Sequence, residues 1–310
     1  MKKLIIVAAI AAACVGGLSY ANHTAAEKVR SELDKQLAIV TEQTGATFAY
    51  ADLSANVLAK NIEITDLEII NPEGESVANI QSIEISGYEK DEVAPHTAFD
   101  IKNLHFNENF IAKLPAESNS MLASASYDIH SSLDYDEESG DSDIALDFNA
   151  KDIFHFSMNM GLANSKALMD ASVAIAKAQQ EAGAGELSYE QQLQQQTLVM
   201  AAMSKLEART INLALKNEGE LKSLIKSELA KQGMNVEQMQ MMVDQQLQAL
   251  PVTDDVVQSV NAFTKGLNSF NISAGLPEGK PMMEVSQQIM MLMSQPEELA
   301  KFISLEVSGS

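Results

Sequence analysis

Three segments of this chain share one spacing of apolar positions: Ile64-Thr-Asp-Leu67-Glu-Ile69, Ile80-Gln-Ser-Ile83-Glu-Ile85 and Ile101-Lys-Asn-Leu104-His-Phe106. Turn-forming stretches such as Asn71-Pro-Glu-Gly74 separate them. A period near two with β-branched residues predicts strands with one apolar face. The shared two-residue gap predicts a shift of phase in the pleat, a bulge that curls the sheet. Clean alternation follows in Tyr127, Ile129, Leu133 and Tyr135. It resumes in Ile144, Leu146 and Phe148 beyond a turn at 136–143, which predicts a hairpin. Phe154, Phe156, Met158 and Met160 form one further strand face.

Helical spacing occupies the flanks. Val29, Leu33, Leu37 and Val40 fall on one helix face, with Thr24 and Glu27 as a capping box and Gly45 as the stop. Residues 165–182 and 188–208 predict two helices broken at Gly183-Ala-Gly185, the second opened by a Ser188–Gln191 capping box. They are expected to form a hairpin lying on the sheet. Ile211, Leu213 and Leu215 return to strand. Helices are predicted at 220–232, at 236–250 with Asn235 as cap, and at 253–266. Phe270 and Ile272 mark a strand, 285–293 and 297–302 are helical, and Ile303, Leu305 and Val307 close the chain as a strand.

The pattern predicts an α+β fold: a curved antiparallel sheet with a helical hairpin and C-terminal helical insertions. The organisation read from it is 1–23 as targeting segment, 24–163 as helix and β-rich repeat-like region, 164–208 as helical hairpin, and 209–310 as α+β C-terminal region.

The first residues carry an address. Lys2 and Lys3 precede an unbroken apolar run from Leu4 to Val15, and Ser19-Tyr20-Ala21 places small residues where a signal peptidase reads them. Three fates stay open: cleavage after Ala21, retention as an anchor of residues 4–21 in the inner membrane, or lipidation at Cys14. Each puts the bulk of the chain in the periplasm.

Composition narrows the partners. With 21 Lys+Arg against 43 Asp+Glu and a formal charge of -22, the surface repels phosphate backbones, so nucleic acid is excluded as a partner. The single cysteine, Cys14, lies in the targeting segment, so the remainder has no disulfide and no thiolate chemistry.

Little in the sequence points to a reaction. His23, His96, His105, His130 and His155 show no ligand spacing, and no Gly-x-Ser-x-Gly elbow or phosphate loop is present. The acidic run from Asp134 to Asp143 fails as a calcium loop. The positions that want glycine and glutamate hold Ser139 and Ala145. No enzyme activity, metal or cofactor is expected.

Methionine is the unusual component. Met239 and Met242 share a helix face with Val243, Leu247 and Leu250. Flexible thioethers suit either core packing or an adaptable apolar surface. The expected ligand-binding residues are therefore Phe154, Phe156, Met158, Met160, Met239 and Met242. The expected ligand is a lipid tail or a hydrophobic segment of an envelope protein. A closed-core assembly module is the alternative.

One resemblance fits this order. Gly16-Gly17-x-x-Tyr20, the amphipathic helix and the Ile-x-x-Leu-x-Ile strands lead to Phe270-Asn-Ile-Ser-Ala-Gly-Leu-Pro277 and Pro296-Glu-Glu-Leu299. The chain thereby resembles the YdgA-like family of bacterial envelope proteins and, more distantly, the AsmA-like superfamily. The distant resemblance implies a curved sheet with an apolar groove concerned with lipids. It carries over no site residues, and the large helical share of this chain departs from an open groove.

Overall fold

The structure, a computed structural model, describes residues 26–56, 59–87, 93–113, 125–182 and 188–310. The targeting segment, Thr24 of the first capping box and the Gly183–Gly185 break lie outside the described residues. Among the described residues, no helix is long and apolar enough to cross a membrane.

One open antiparallel sheet of 11 strands organises the chain. Helix α1 (Ala26–Thr44) leads into β1 (Thr47–Ala49) and β2 (Asp52–Asn56), which pair with successive parts of β3 (Asn61–Ile70). From β3 the sheet is a meander in chain order. It runs through β4 (Ser76–Ser86), β5 (His96–Phe106), β6 (Tyr127–Asp136), β7 (Asp141–Ala150), β8 (Phe154–Ala163), β9 (Glu207–Asn217), β10 (Ser269–Gly275) and β11 (Glu306–Gly309). Among the described residues, four insertions are helical. A single turn, α2 (Glu108–Ile111), follows β5. Helices α3 (Lys166–Ala182) and α4 (Tyr189–Met203) separate β8 from β9. Helices α5 (Leu221–Lys231), α6 (Val236–Ala249) and α7 (Asp254–Gly266) separate β9 from β10. Helices α8 (Met282–Leu292) and α9 (Pro296–Phe302) precede β11.

The predicted phase shift is a row of irregular backbone crossing three strands. Asp66 and Asn103 adopt left-handed φ of 51° and 54°, which Asp and Asn tolerate better than other residues with a Cβ. Between them, Gln81 accepts a 3.1 Å bond from the Asn103 amide. Register is kept on both sides of this row in the β3–β4 and β4–β5 pairs. The offset is discharged at the β5–β6 pair, where the register slips between Ile101 and Leu104. There the Asp128 carboxylate accepts the Asn103 N–H at 2.7 Å. Beyond it, β6–β7 pairs without interruption. The shift keeps Ile62, Ile64, Leu67 and Ile69 all buried, on one face.

That face meets α1. Val29, Leu33 and Leu37 pack with Leu53, Ile64, Leu67, Ile69, Ile80, Ile83, Ile101 and Leu104 in the main core. Gly45 ends α1 with φ of 74° and its N–H on the Thr41 carbonyl. An aromatic row, Phe106, Tyr127, Phe148 and Phe154, crosses β5 to β8 with centroids 6.0, 5.6 and 5.7 Å apart. Burial pushes the Tyr127 phenol up to about 12 from its ordinary 10.0. A phenol held neutral in the fold loses ground once the unfolded chain can ionise it. Stability should therefore fall as pH rises from 10 toward 12. The urea midpoint of Tyr127→Phe should fall less steeply than that of the wild type over this range.

Several element ends differ from the sequence reading. The second predicted helix, 188–208, stops at Met203, because Leu206 and Ala208 are buried at 3% and 2% in a second core and Ala208 pairs with Leu162. Helix α8 starts at Met282 rather than 285, and Ile303 lies in a turn before the last strand. The capping boxes at Ser188–Gln191 and Asn235–Gln238 are formed on both sides.

Helix α7 closes the β11 edge. Ser259 donates its hydroxyl to the Val307 carbonyl at 3.0 Å, and a Cβ on Gly309 would lie 2.0 Å from the Ser259 carbonyl oxygen. The glycine admits the helix, and the last strand is shielded from pairing with another chain.

Candidate apolar binding face

Register assigns the faces of β6 to β11. Directly paired residues in an antiparallel sheet point to the same side. Phe148, Phe156, Leu215 and Phe270 therefore form one row. Leu146, Met158, Leu213, Ile272 and Val307 form the next. Leu133, Ile144, Met160 and Ile211 form a third. These rows carry no charge. The opposite face holds Asp100, His130, Asp147 and Ser157 in one row, with Ala145, Asn159, Asn212 and Ser273 beside it.

On β3 and β4 burial follows this chemistry, with core positions closed to between 0% and 6% exposure. On β7 it does not. Ile144, Leu146 and Phe148 are half-buried, and so are Ala145, Asp147 and Asn149 between them. On β8, Phe154, Phe156, Met158 and Met160 are half-buried, as are His155 and Ser157. The apolar face of this part of the sheet stays half-open, while Asp143, Asn159, Asn212 and Asn271 on the polar face are exposed.

The expected site residues divide accordingly. Phe154 packs on the edge of the main core, near Leu221, Leu224 and Ile225 at the start of α5. Met160 joins the second core of Leu162, Leu206 and Ala208, with Leu168, Met203, Leu276 and Met282 around it. Phe156 and Met158 belong to neither, and Leu133, Leu146, Ile211, Leu213, Leu215 and Ile272 share that position. The strand residues form one continuous face, closed at both ends and half-open in the middle. Met239 is half-buried and Met242 is 51% exposed on α6, which rests on α7 through Gln240 and the Thr264 carbonyl at 3.1 Å. No described contact joins these two methionines to the strand face. Sequence reading left Leu146, Leu213 and Ile272 outside the site although their alternation was visible. Only register places them beside Met158.

The polar face is built from side chains that satisfy one another. His96 bonds Asp134 at 2.7 Å, His130 bonds Asp100 at 2.8 Å, and His155 bonds Asp147 at 3.0 Å. Arg209 bonds Asp141 at 2.7 Å. At the acidic hairpin tip, Asp136 accepts bonds from the Ser139 hydroxyl and the Glu138 N–H, which hold its carboxyl below the usual range. Among the described residues, no three His, Asp or Glu side chains gather as a metal site.

At the far end, Ser142 and Ser165 are buried at 2% and 0%. Ser142 donates to Ser165, and Ser165 donates to the Gly140 carbonyl at 2.9 Å. This chain of bonds locks the β6–β7 hairpin to the start of α3.

No curated protein matches the sequence. Residues 147–310 match the model of a family of uncharacterized proteins. That stretch begins within β7 and contains β8 to β11 with all the helices from α3 onward, while Leu133, Ile144 and Leu146 of the half-open face precede it. With more than half of its length covered, the chain belongs to this uncharacterized family.

Proposed function

We propose that this is a non-enzymatic, exported envelope protein that binds an apolar ligand on the half-open face of β6 to β10. One observation carries the reading. The large apolar residues Ile144, Leu146, Phe148, Phe156 and Met158 of β7 and β8 are only half-buried, in the same range as Ala145, Asp147, His155 and Ser157 between them. Each large apolar side chain is worth ~1.5–3 kcal/mol when fully buried, so an uncharged tract of this extent gains by being covered. An acyl chain or the apolar segment of another envelope protein meets that need without hydrogen-bonding demands.

The resemblance to YdgA-like and AsmA-like proteins supports the same reading. The left-handed row at Asp66 and Asn103, with the β5–β6 bulge, supports a curved sheet. Protein isolated without detergent should carry a co-purified apolar compound, detected by mass spectrometry of an organic extract. An extract identical to a blank would reject the reading.

The periplasmic address rests on Lys2, Lys3 and the run from Leu4 to Val15. Cleaved, retained or lipidated, the segment delivers the remaining chain to the same side. Changing Val7 and Ala8 to arginine should hold the protein in the cytoplasm, since each charge at the centre of such a run costs ~2.5–3.5 kcal/mol on insertion scales. A reporter that works only in the periplasm, fused after Ser310, should fall silent in this variant. If it stays active, the segment is not the export signal.

A further inference from the structure

We infer that the α3–α4 hairpin pairs with the same hairpin of a second copy of this chain, two arms making a four-helix bundle. The two helices pack on each other. Among the described residues, the buried ones sit at the sheet end of the hairpin: Met169 and Ala171 on α3, and Ala202 on α4. Beyond that base, α4 has apolar residues on two sides. Gln195 and Val199 are half-buried and line up with Ala202, the covered side against α3. Tyr189, Leu193 and Met200 are 78%, 51% and 59% exposed. With Gln196 they recur at i, i+4, i+7 and i+11, which is one straight stripe on a helix.

Such a stripe is the seam of a coiled pair, and among the described residues nothing covers it. Two antiparallel helices of this length are marginal alone. The simplest closure adds two more helices, and a second hairpin supplies them.

Two observations select a second copy as the occupant. The first is charge. Copies carrying -22 each repel, but α4 holds a single charged residue, Glu190, and α3 balances Lys166 and Lys177 with Asp170 and Glu181. The arms are where two such chains can touch. The second is Gln196, at the middle of the stripe. Its amide both donates and accepts, so across a two-fold axis it satisfies its own symmetry mate. A polar residue at one seam position also fixes register.

Sedimentation equilibrium of the full chain should show a concentration-dependent dimer. Leu193→Glu combined with Met200→Glu should be monomeric, with an unchanged far-ultraviolet circular dichroism spectrum. In a Cys14→Ser background, Gln196→Cys should be captured as a covalent dimer by a short bis-maleimide. Thr210→Cys, on the polar sheet face, should not. A wild type that stays monomeric at every concentration overturns the inference. So does a double variant that remains dimeric, or cross-linking no stronger at 196 than at 210. A monomer whose flotation with phosphatidylcholine vesicles is lost in the Leu193→Glu, Met200→Glu variant would also overturn it and assign the stripe to a lipid surface. None of these outcomes depends on whether an extract contains an apolar ligand.

Discussion

Replacing Leu67 with alanine should destabilise the protein by about 2–5 kcal/mol, the usual range for emptying a closed core position. Leu67 is 1% exposed, under α1 and between Ile64, Ile69 and Ile80. Its place depends on the left-handed Asp66, so the backbone cannot easily give way to fill the hole. The informative comparison is Met158→Ala, on the same face of the same sheet. Met158 is half-buried and belongs to neither core. Water already reaches it, no cavity is created, and the loss should be about 1 kcal/mol or less from the smaller area removed from water. Urea denaturation of the two variants measures the difference directly. Equal losses would mean that β8 is covered as thoroughly as β3.

The second large effect concerns ligand and leaves the fold in place. Phe156→Asp should yield a folded protein, with a melting temperature within a few degrees of the wild type and no co-purified apolar compound. A charge forced into a closed core would unfold a domain, because a buried carboxylate without a partner is far too costly. At Phe156 the carboxylate keeps contact with water, since its neighbours Leu146 and Met158 are half-buried too. What the charge destroys is the uncharged tract, and with it any reason for an acyl chain to lie there. Calorimetry and mass spectrometry on the same sample separate the outcomes. An unfolded variant means a closed core at this position. A folded variant with unchanged cargo means that the ligand, if any, binds elsewhere.

The strands were legible because their period is two and their apolar members are β-branched. No competing element produces Ile64-x-x-Leu67-x-Ile69 three times over. Even the irregularity could be read, since a skipped position in an alternating strand must be taken up by the backbone. Which residues would take it up could not be read. Asp66 and Asn103 do so through left-handed φ, and the compensating slip at Ile101–Leu104 is a property of the pairing with β6. The helix caps at Ser188 and Asn235 were legible for the same local reason: each side chain meets an N–H three residues away. The end of α4 was not, because apolar periodicity continues through Leu206 and Ala208 and only the second core draws them out of the helix, Ala208 into β9.

For the candidate site, the sequence by itself determined which side of β8 is apolar, and that Phe154, Phe156, Met158 and Met160 share it. Side-chain alternation along a strand is a local geometric fact and needs no partner to establish it. Tertiary structure decided how well that side is covered. The helices close the two ends, at Phe154 and at Met160, and leave Phe156 and Met158 between them only half-buried. An apolar face asks to be covered whatever lies above it, so the sequence of a strand reads alike under a helix or open to solvent. Coverage depends on where insertions such as α5 and α8 come to rest, and that is fixed by contacts between residues far apart in the chain.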